Sequence, residues 1–197
     1  DEFELKEINK DELYKFLREM EFNRLLSLAI SVYGEPDFTN EISNKSTHHK
    51  QVSIDKKNYH LITDLKNIDE WIREAEEIGE VAVDTETNSL DPHQAELVGI
   101  SLSSKIGKAC YIPLGHKSEK NINKNLVLNK LKPLLEDPSI KKIGQNIKFD
   151  FIVFFKQGIE LTAMEDTMLM SYVLDAGKNR HNMDVLFEIH LDHKTIA

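Results

Sequence analysis

The 197-residue sequence contains a single cysteine, Cys110. One cysteine excludes an internal disulfide framework and fits a reducing, cytoplasmic setting. No apolar run approaches the length of a membrane span, and the N-terminus carries no signal-peptide pattern, so no membrane partner is expected. Basic residues are in deficit: 25 Lys and Arg stand against 34 Asp and Glu, for a net charge of −9. This balance excludes a general nucleic-acid coat, which would be basic. It does not exclude an enzyme that takes one strand end into an acidic site. There is no GxxxxGK[ST] loop and no GxGxxG turn, hence no sign of a nucleoside-triphosphatase or a dinucleotide site. His190 and His193 stand three residues apart, but no cysteine or further histidine has zinc-ligand spacing with them. Internal repeats and low-complexity tracts are also lacking.

The composition, 40% hydrophobic and 30% charged, suits a soluble globular protein. The first residue is Asp1 rather than Met, and the expectation is a piece of something longer. Residues 1–33 read as a helical extension, with Leu13, Phe16, Leu17, Met20, Leu25, Leu26 and Leu28 at helical spacing. Residues 34–57 are polar and include Pro36 and His48-His49. They read as a linker. Residues 58–197 then alternate strand and helix patterns, an α/β layout. Strands are expected at Tyr59 to Thr63, Glu80 to Thr85, Glu96 to Ser103, Ala109 to Pro113 and Ile140 to Ile143. Helices are expected at Asp64 to Ile78, with Gly79 as its stop, and at Asn123 to Glu136. Three more cover about Ile147 to Gln157, Glu165 to Leu174 and Met183 to Leu191.

The chemistry concentrates in two segments. Val81-Ala82-Val83 is the end of a buried strand, and it delivers Asp84 and Glu86 two residues apart. Strand side chains alternate, so both acids point the same way. Two carboxylates on one face repel each other, and a divalent cation is the simplest compensation. In Gly144-Gln145-Asn146-Ile147-Lys148-Phe149-Asp150, a short strand turns into a helix. Asn146 is expected as an N-cap and Asp150 falls in or near the first turn, where the helix dipole favours a carboxylate.

These segments, Asp84-Thr85-Glu86-Thr87-Asn88-Ser89-Leu90-Asp91 and Gly144 to Asp150, resemble the first two motifs of the DEDD 3′–5′ exonucleases. The likeness is to the branch that proofreads for bacterial DNA polymerase I. It extends through Glu165 to Tyr172 and Arg180 to Asp184, ends at His193-Lys194-Thr195-Ile196, and covers roughly residues 58 to 197. It implies a ribonuclease H-like mixed sheet flanked by helices, and two divalent metal ions, Mg²⁺ or Mn²⁺, in the complete domain. Asp84 matches the bridging acid, Glu86 the ligand on the side of the attacking water, and Asp150 the ligand of the second ion. Thr87 and Leu90 match contacts to the terminal nucleotide. Gln145, Asn146 and Phe149 match positions beside the strand. The implied partners are a single-stranded 3′ end of DNA and the polymerase and 5′-nuclease domains of a parent chain.

The family's third motif, Tyr-x-x-x-Asp or its His variant, is missing after Asp150. Tyr33 and Asp37 have the spacing but precede the first motif, and Tyr172 and Asp175 are one residue too close. The expectation is a domain cut short of that motif and weak or inactive by itself. A ribonuclease D-like RNA exonuclease and a non-catalytic nucleic-acid-binding scaffold are the alternatives. Asp166 is expected as a helix cap, and His181 and Asp184 as structural.

Overall fold

A computed structural model describes residues 8–35, 58–117 and 120–193. The chain divides into two compact units, Asp1–Thr47 and His48–Ala197. Most of the expected linker, residues 36–57, lies outside the described residues.

The first unit is a helical hairpin of α1 (Lys10–Glu19) and α2 (Asn23–Tyr33). The expected helical stretch is broken at Glu21, whose φ is 55°. Asn9 caps α1 by accepting from the Glu12 N–H at 3.4 Å. Tyr14, Leu17 and Ala29 form its small core, and the Tyr14 hydroxyl donates to the Gly34 carbonyl at 2.6 Å.

The second unit is built on a six-stranded sheet. Its strands are β1 (Tyr59–Leu61), β2 (Glu80–Thr87), β3 (Leu97–Lys105), β4 (Lys108–Pro113), β5 (Lys141–Gly144) and β6 (Met164–Asp166). Their order across the sheet is β1-β4-β3-β2-β5-β6. β2–β3 and β3–β4 are antiparallel, while β1–β4, β2–β5 and β5–β6 are parallel. The sheet is therefore mixed, as the resemblance implied. Ile106 and Gly107 close the β3–β4 hairpin, with Gly107 at a φ of 76°. A positive φ of this kind is what two-residue hairpin turns require.

Four helices connect the strands or follow them: α3 (Ile68–Ile78), α4 (Lys124–Glu136), α5 (Ile147–Lys156) and α6 (Thr167–Asp175). A fifth, α7 (Met183–Leu191), follows α6. The stretch expected as one helix from Asp64 opens as a 3-10 turn, Leu65–Asn67, capped by the Asp64 side chain. Gly79 ends α3 in the left-handed region, its N–H on the Ala75 carbonyl at 2.8 Å. The core lies on one face of the sheet. There Val81, Val83, Ile100, Leu102 and Ile112 join Trp71 and Ala75 of α3, Leu131 and Leu135 of α4, and Phe154 of α5.

Two expectations are corrected. The segment expected as a helix from Glu165 begins as β6, which pairs with Lys142 to Gly144, and α6 starts only at Thr167. A three-residue strand is too short to show a period. Tyr172, with Met168 and Val173 around it, reads in the sequence as part of a core helix, but α6 buries only Ser171. Tyr172 is 50% exposed, Val173 85% and Leu174 75%.

Candidate active site

β2 alternates strictly: Val81, Val83 and Thr85 are buried, and Ala82, Asp84 and Glu86 face out. The two acids thus share the face opposite the core. β5 pairs with β2 only from Glu80 to Ala82 and ends at Gly144. Beyond that end the Thr85 N–H has no strand to meet. It donates to Asp150 Oδ1 at 2.9 Å, and the Thr85 hydroxyl donates to the same oxygen at 2.6 Å. Asp150 lies in the first turn of α5 and is only 3% exposed. The helix acid is therefore tied to the residue between the two strand acids.

The turn that delivers Asp150 is tight. Asn146 sits in the left-handed region, φ 57° and ψ 44°, which asparagine tolerates better than most residues. A Cβ on Gly144 would crowd Ile147 at 2.9 Å. Asn146 occupies the N-cap position, but its side chain makes no capping bond. The cap comes from Asp166, whose carboxylate accepts from the Asn146 and Ile147 N–H groups at 3.0 and 3.1 Å. The same carboxylate caps α6, accepting from Met168 and Leu169 at 2.9 and 3.3 Å. Asp166 is a cap as expected, and it serves two helices.

Negative charge is crowded here. Burial raises the Asp84 carboxyl above its ordinary value, and the Glu86 charge adds to this. Burial pushes Asp150 up to about 6; the Thr85 hydrogen bonds oppose that rise, and the Asp84 charge reinforces it. Three carboxylates are hard oxygen donors, the kind Mg²⁺ and Mn²⁺ take. Their uncompensated charge fits a divalent cation. Among the described residues, however, no group of three or more His, Cys, Asp or Glu side chains is gathered closely enough to hold an ion as it stands.

The other sequence-selected residues surround these acids unevenly. The Thr87 hydroxyl donates to the Ser89 carbonyl at 2.9 Å. Leu90 is 97% exposed on the loop that follows β2. That loop is closed by Asn88 and Glu96, with the Glu96 N–H on Asn88 Oδ1 at 2.9 Å. Lys156 of α5 pins it, donating to the carbonyls of Pro92, His93 and Ala95 at 3.1, 2.7 and 2.8 Å. Phe149 is partly buried against the core. Gln145 spends its amide internally, accepting from the Thr167 hydroxyl at 2.6 Å and donating to the His181 carbonyl at 2.8 Å. His181 is buried and pairs through Nδ1 with the Ser171 hydroxyl at 2.8 Å. A cavity of about 540 Å³ opens on the acid-bearing face, lined by Ala82, Asp84, Ser101, Gln145, Met170 and Phe187 among others. Thr85, Asp166 and Lys156 hold the site together. Of these, sequence reasoning found only Asp166, and only as a cap.

Residues 59–196 match the family model of a 3′–5′ exonuclease. The chain belongs to this 3′–5′ exonuclease family. It is 44% identical over 164 residues to DNA polymerase I of Rhizobium leguminosarum, covering 73% of this chain and 16% of that protein. It is 36% identical over 196 residues to DNA polymerase I of Pseudomonas aeruginosa, covering 96% and 21% respectively. The chain thus spans about a fifth of the length of these relatives. Among solved structures, Brucella melitensis NrnC with bound Mg²⁺ is 26% identical, with a TM-score of 0.52, over 71% of this chain and 62% of that one. The exonuclease fold is ribonuclease H-like, a mixed sheet flanked by helices. Among the described residues, no helix is long and apolar enough to cross a membrane.

Proposed function

We propose that this chain is a proofreading-type module that removes nucleotides from the 3′ end of single-stranded DNA, with Asp84, Glu86 and Asp150 as its acids. One observation carries the reading: the two β2 acids share an open face, and Thr85 ties the buried acid of α5 to the same strand. Family membership supports it, as do the NrnC structures with Mg²⁺ and with pGG.

Asp84, Glu86 and Asp150 would hold one or two divalent ions, Mg²⁺ or Mn²⁺. When bound, such ions polarise the scissile phosphate and lower the pKa of a bound water. The chain's own residues then bind and orient. Leu90 stands clear of the surface for the terminal base to meet. Thr87, Gln145, Asn146 and Phe149 lie on the two segments that approach the strand end. The flanking partners we assign are polymerase and 5′-nuclease domains, and the setting is cytoplasmic. Residues 1–33 are read as the tail of such a neighbour and 34–57 as the linker between them.

The test is digestion of a 5′-labelled single-stranded oligonucleotide in Mg²⁺ or Mn²⁺. No Tyr-x-x-x-Asp follows Asp150 in this sequence, so slow stepwise shortening from the 3′ end is expected. Fusion to the family's Tyr-x-x-x-Asp segment should speed it by roughly an order of magnitude or more, because hydrolysis needs a placed water as well as a polarised phosphate. Asp84→Ala should abolish both activities. Shortening that survives Asp84→Ala, or no shortening by the fused form, overturns the reading.

A further inference from the structure

One wall of the cavity on the acid-bearing face is α7. It contributes Met183, Leu186, Phe187 and His190 to a lining that also holds Asp84 and Gln145. Yet α7 is nine residues long and buries none of them. A helix so short is marginal by itself in water, and α7 has no part in the core that fixes α3, α4 and α5. Its position therefore depends on how its ends are held. The N-cap residue Asn182 makes no side-chain capping bond. The buried residue at this end is the one before it, His181, which is 7% exposed.

His181 is gripped at both its ring and its backbone. Two consecutive residues of α6 take the ring. Ser171 Oγ stands 2.8 Å from Nδ1, and the Tyr172 ring lies over the imidazole with centroids 3.8 Å apart. The half-exposed aromatic of α6 thus roofs a buried one. The His181 carbonyl accepts from Gln145 Nε2 at 2.8 Å. Gln145 is held in turn, because its Oε1 accepts from the Thr167 hydroxyl at 2.6 Å. Gln145 belongs to the turn that delivers Asp150, so His181 joins that turn, α6 and the start of α7. Burying an imidazole costs free energy unless its polar atoms are partnered. A ring kept there only to fill space would be better replaced by an apolar side chain.

We propose that His181 is a positioning residue that latches α7 to the acid-bearing face and holds Gln145 at the Asp150 turn. The latch belongs to the fold alone. Its effect on activity rests on the exonuclease reading above, in which Gln145 lies beside the strand end. When the latch is released, α7 leaves its place in the cavity wall and the Gln145 amide loses its acceptor. The acid of α5 keeps its own supports, Thr85 and Asp166. The loss therefore falls on binding and spares the chemical step.

Amide hydrogen exchange on the full chain reads the latch. Residues 187–191 should be protected in wild type. His181→Leu should speed their exchange about tenfold or more and leave α3 and α4 at wild-type rates. Ser171→Ala is the milder change and should act in the same direction, so the test stands if His181→Leu does not fold. His181→Asn offers an amide near the position of Nδ1 and should keep most of the protection. Gln145→Glu replaces the donor with an oxygen and leaves Thr167 its acceptor. It should also free α7, and Ser171→Ala in that background should add little. An unprotected α7 in wild type, wild-type exchange in both His181→Leu and Ser171→Ala, equal rates in the Leu and Asn variants, or full additivity of Ser171→Ala with Gln145→Glu overturns the latch. In oligonucleotide digestion, Ser171→Ala and His181→Leu should raise KM several-fold with kcat nearly unchanged, and His181→Asn should lie nearer wild type. An unmoved KM overturns the positioning role. Activity that survives Asp84→Ala sinks the exonuclease reading instead, and the exchange rates then decide the latch.

Discussion

Asp150 takes both the N–H and the hydroxyl of Thr85 on a single carboxylate oxygen, at 2.9 and 2.6 Å. Thr85 thus does the work that a longer β5 would do, and it joins the helix acid to the strand acids. Thr85→Val keeps the backbone bond and removes the hydroxyl donor to a buried carboxylate. The expected cost is about 1.5–3 kcal/mol at pH 8. Losing a bond that favours the charged form also pushes Asp150 further up. The cost should therefore shrink at pH 5, where the variant's carboxyl is protonated. Denaturant melts at the two pH values measure this. An equal cost at both would show that the hydroxyl does not serve the carboxylate.

The raised Asp150 carboxyl sets the sign of the pH dependence. Its ordinary value is 3.8 and its folded value about 6. Between those values the folded state holds more protons than the unfolded one. Stability therefore falls as pH rises through that window, by up to about 3 kcal/mol, and is lowest above the folded value. Asp84 is shifted in the same direction and adds to the effect. In chelator-treated buffer the chain should melt higher at pH 5 than at pH 7.5. Asp150→Asn keeps an oxygen for both Thr85 donors, so it should raise the pH 7.5 melt and flatten the difference. Mg²⁺ should raise the wild-type melt at pH 7.5 and raise that of Asp150→Asn by less, because Asp84 and Glu86 remain. A wild-type melt that rises steadily from pH 5 to 7.5 would contradict this account.

Asp166 accepts from four backbone N–H groups, two at the start of α5 and two at the start of α6. Asp166→Ala removes two helix caps at once, an expected loss of about 2–4 kcal/mol. Asp166→Asn keeps Oδ1, which serves three of the four donors, and should cost about 1 kcal/mol. Because α5 carries Asp150, the alanine variant should also release the Asn146 and Ile147 amides to faster hydrogen exchange. Unchanged exchange there would mean that the α5 turn does not depend on this clip.

The acids themselves are legible in the sequence because they depend on local periodicity. Asp84 and Glu86 follow from the two-residue alternation of β2, and Asp150 from its place after Gly144 and Asn146. What holds them is not local. Thr85 reads as an ordinary β-branched strand residue until α5 is folded over it. The cap of α5 comes from a residue twenty positions away, so Asn146 marks the right place but not the right group. Gly99 looks like a flaw in β3 until the Tyr111 ring lies over it. β6 has three residues and no period, and α6 is apolar in sequence yet largely exposed. In each case the deciding contact joins segments that no window along the chain contains.

Lys156 extends the same point to the loop that carries Leu90. Its ammonium donates to three carbonyls, those of Pro92, His93 and Ala95, and so fastens the loop after β2 to the helix bearing Asp150. The side chain is exposed, so its removal should cost little stability, within about 1 kcal/mol. Its effect should be on order. In Lys156→Met the three carbonyls lose a shared charged donor, and residues 88–95 should exchange amide hydrogens faster and be cut earlier by protease. On the proposed exonuclease reading, in which Leu90 meets the terminal base, that contact would then be held less firmly. Oligonucleotide KM should rise several-fold while kcat in saturating substrate changes little, the signature of lost binding rather than lost chemistry. Leu90→Ala in the same background should add less than it does alone, because the two act through one loop. Equal exchange rates across 88–95 in wild type and variant would remove Lys156 from this role.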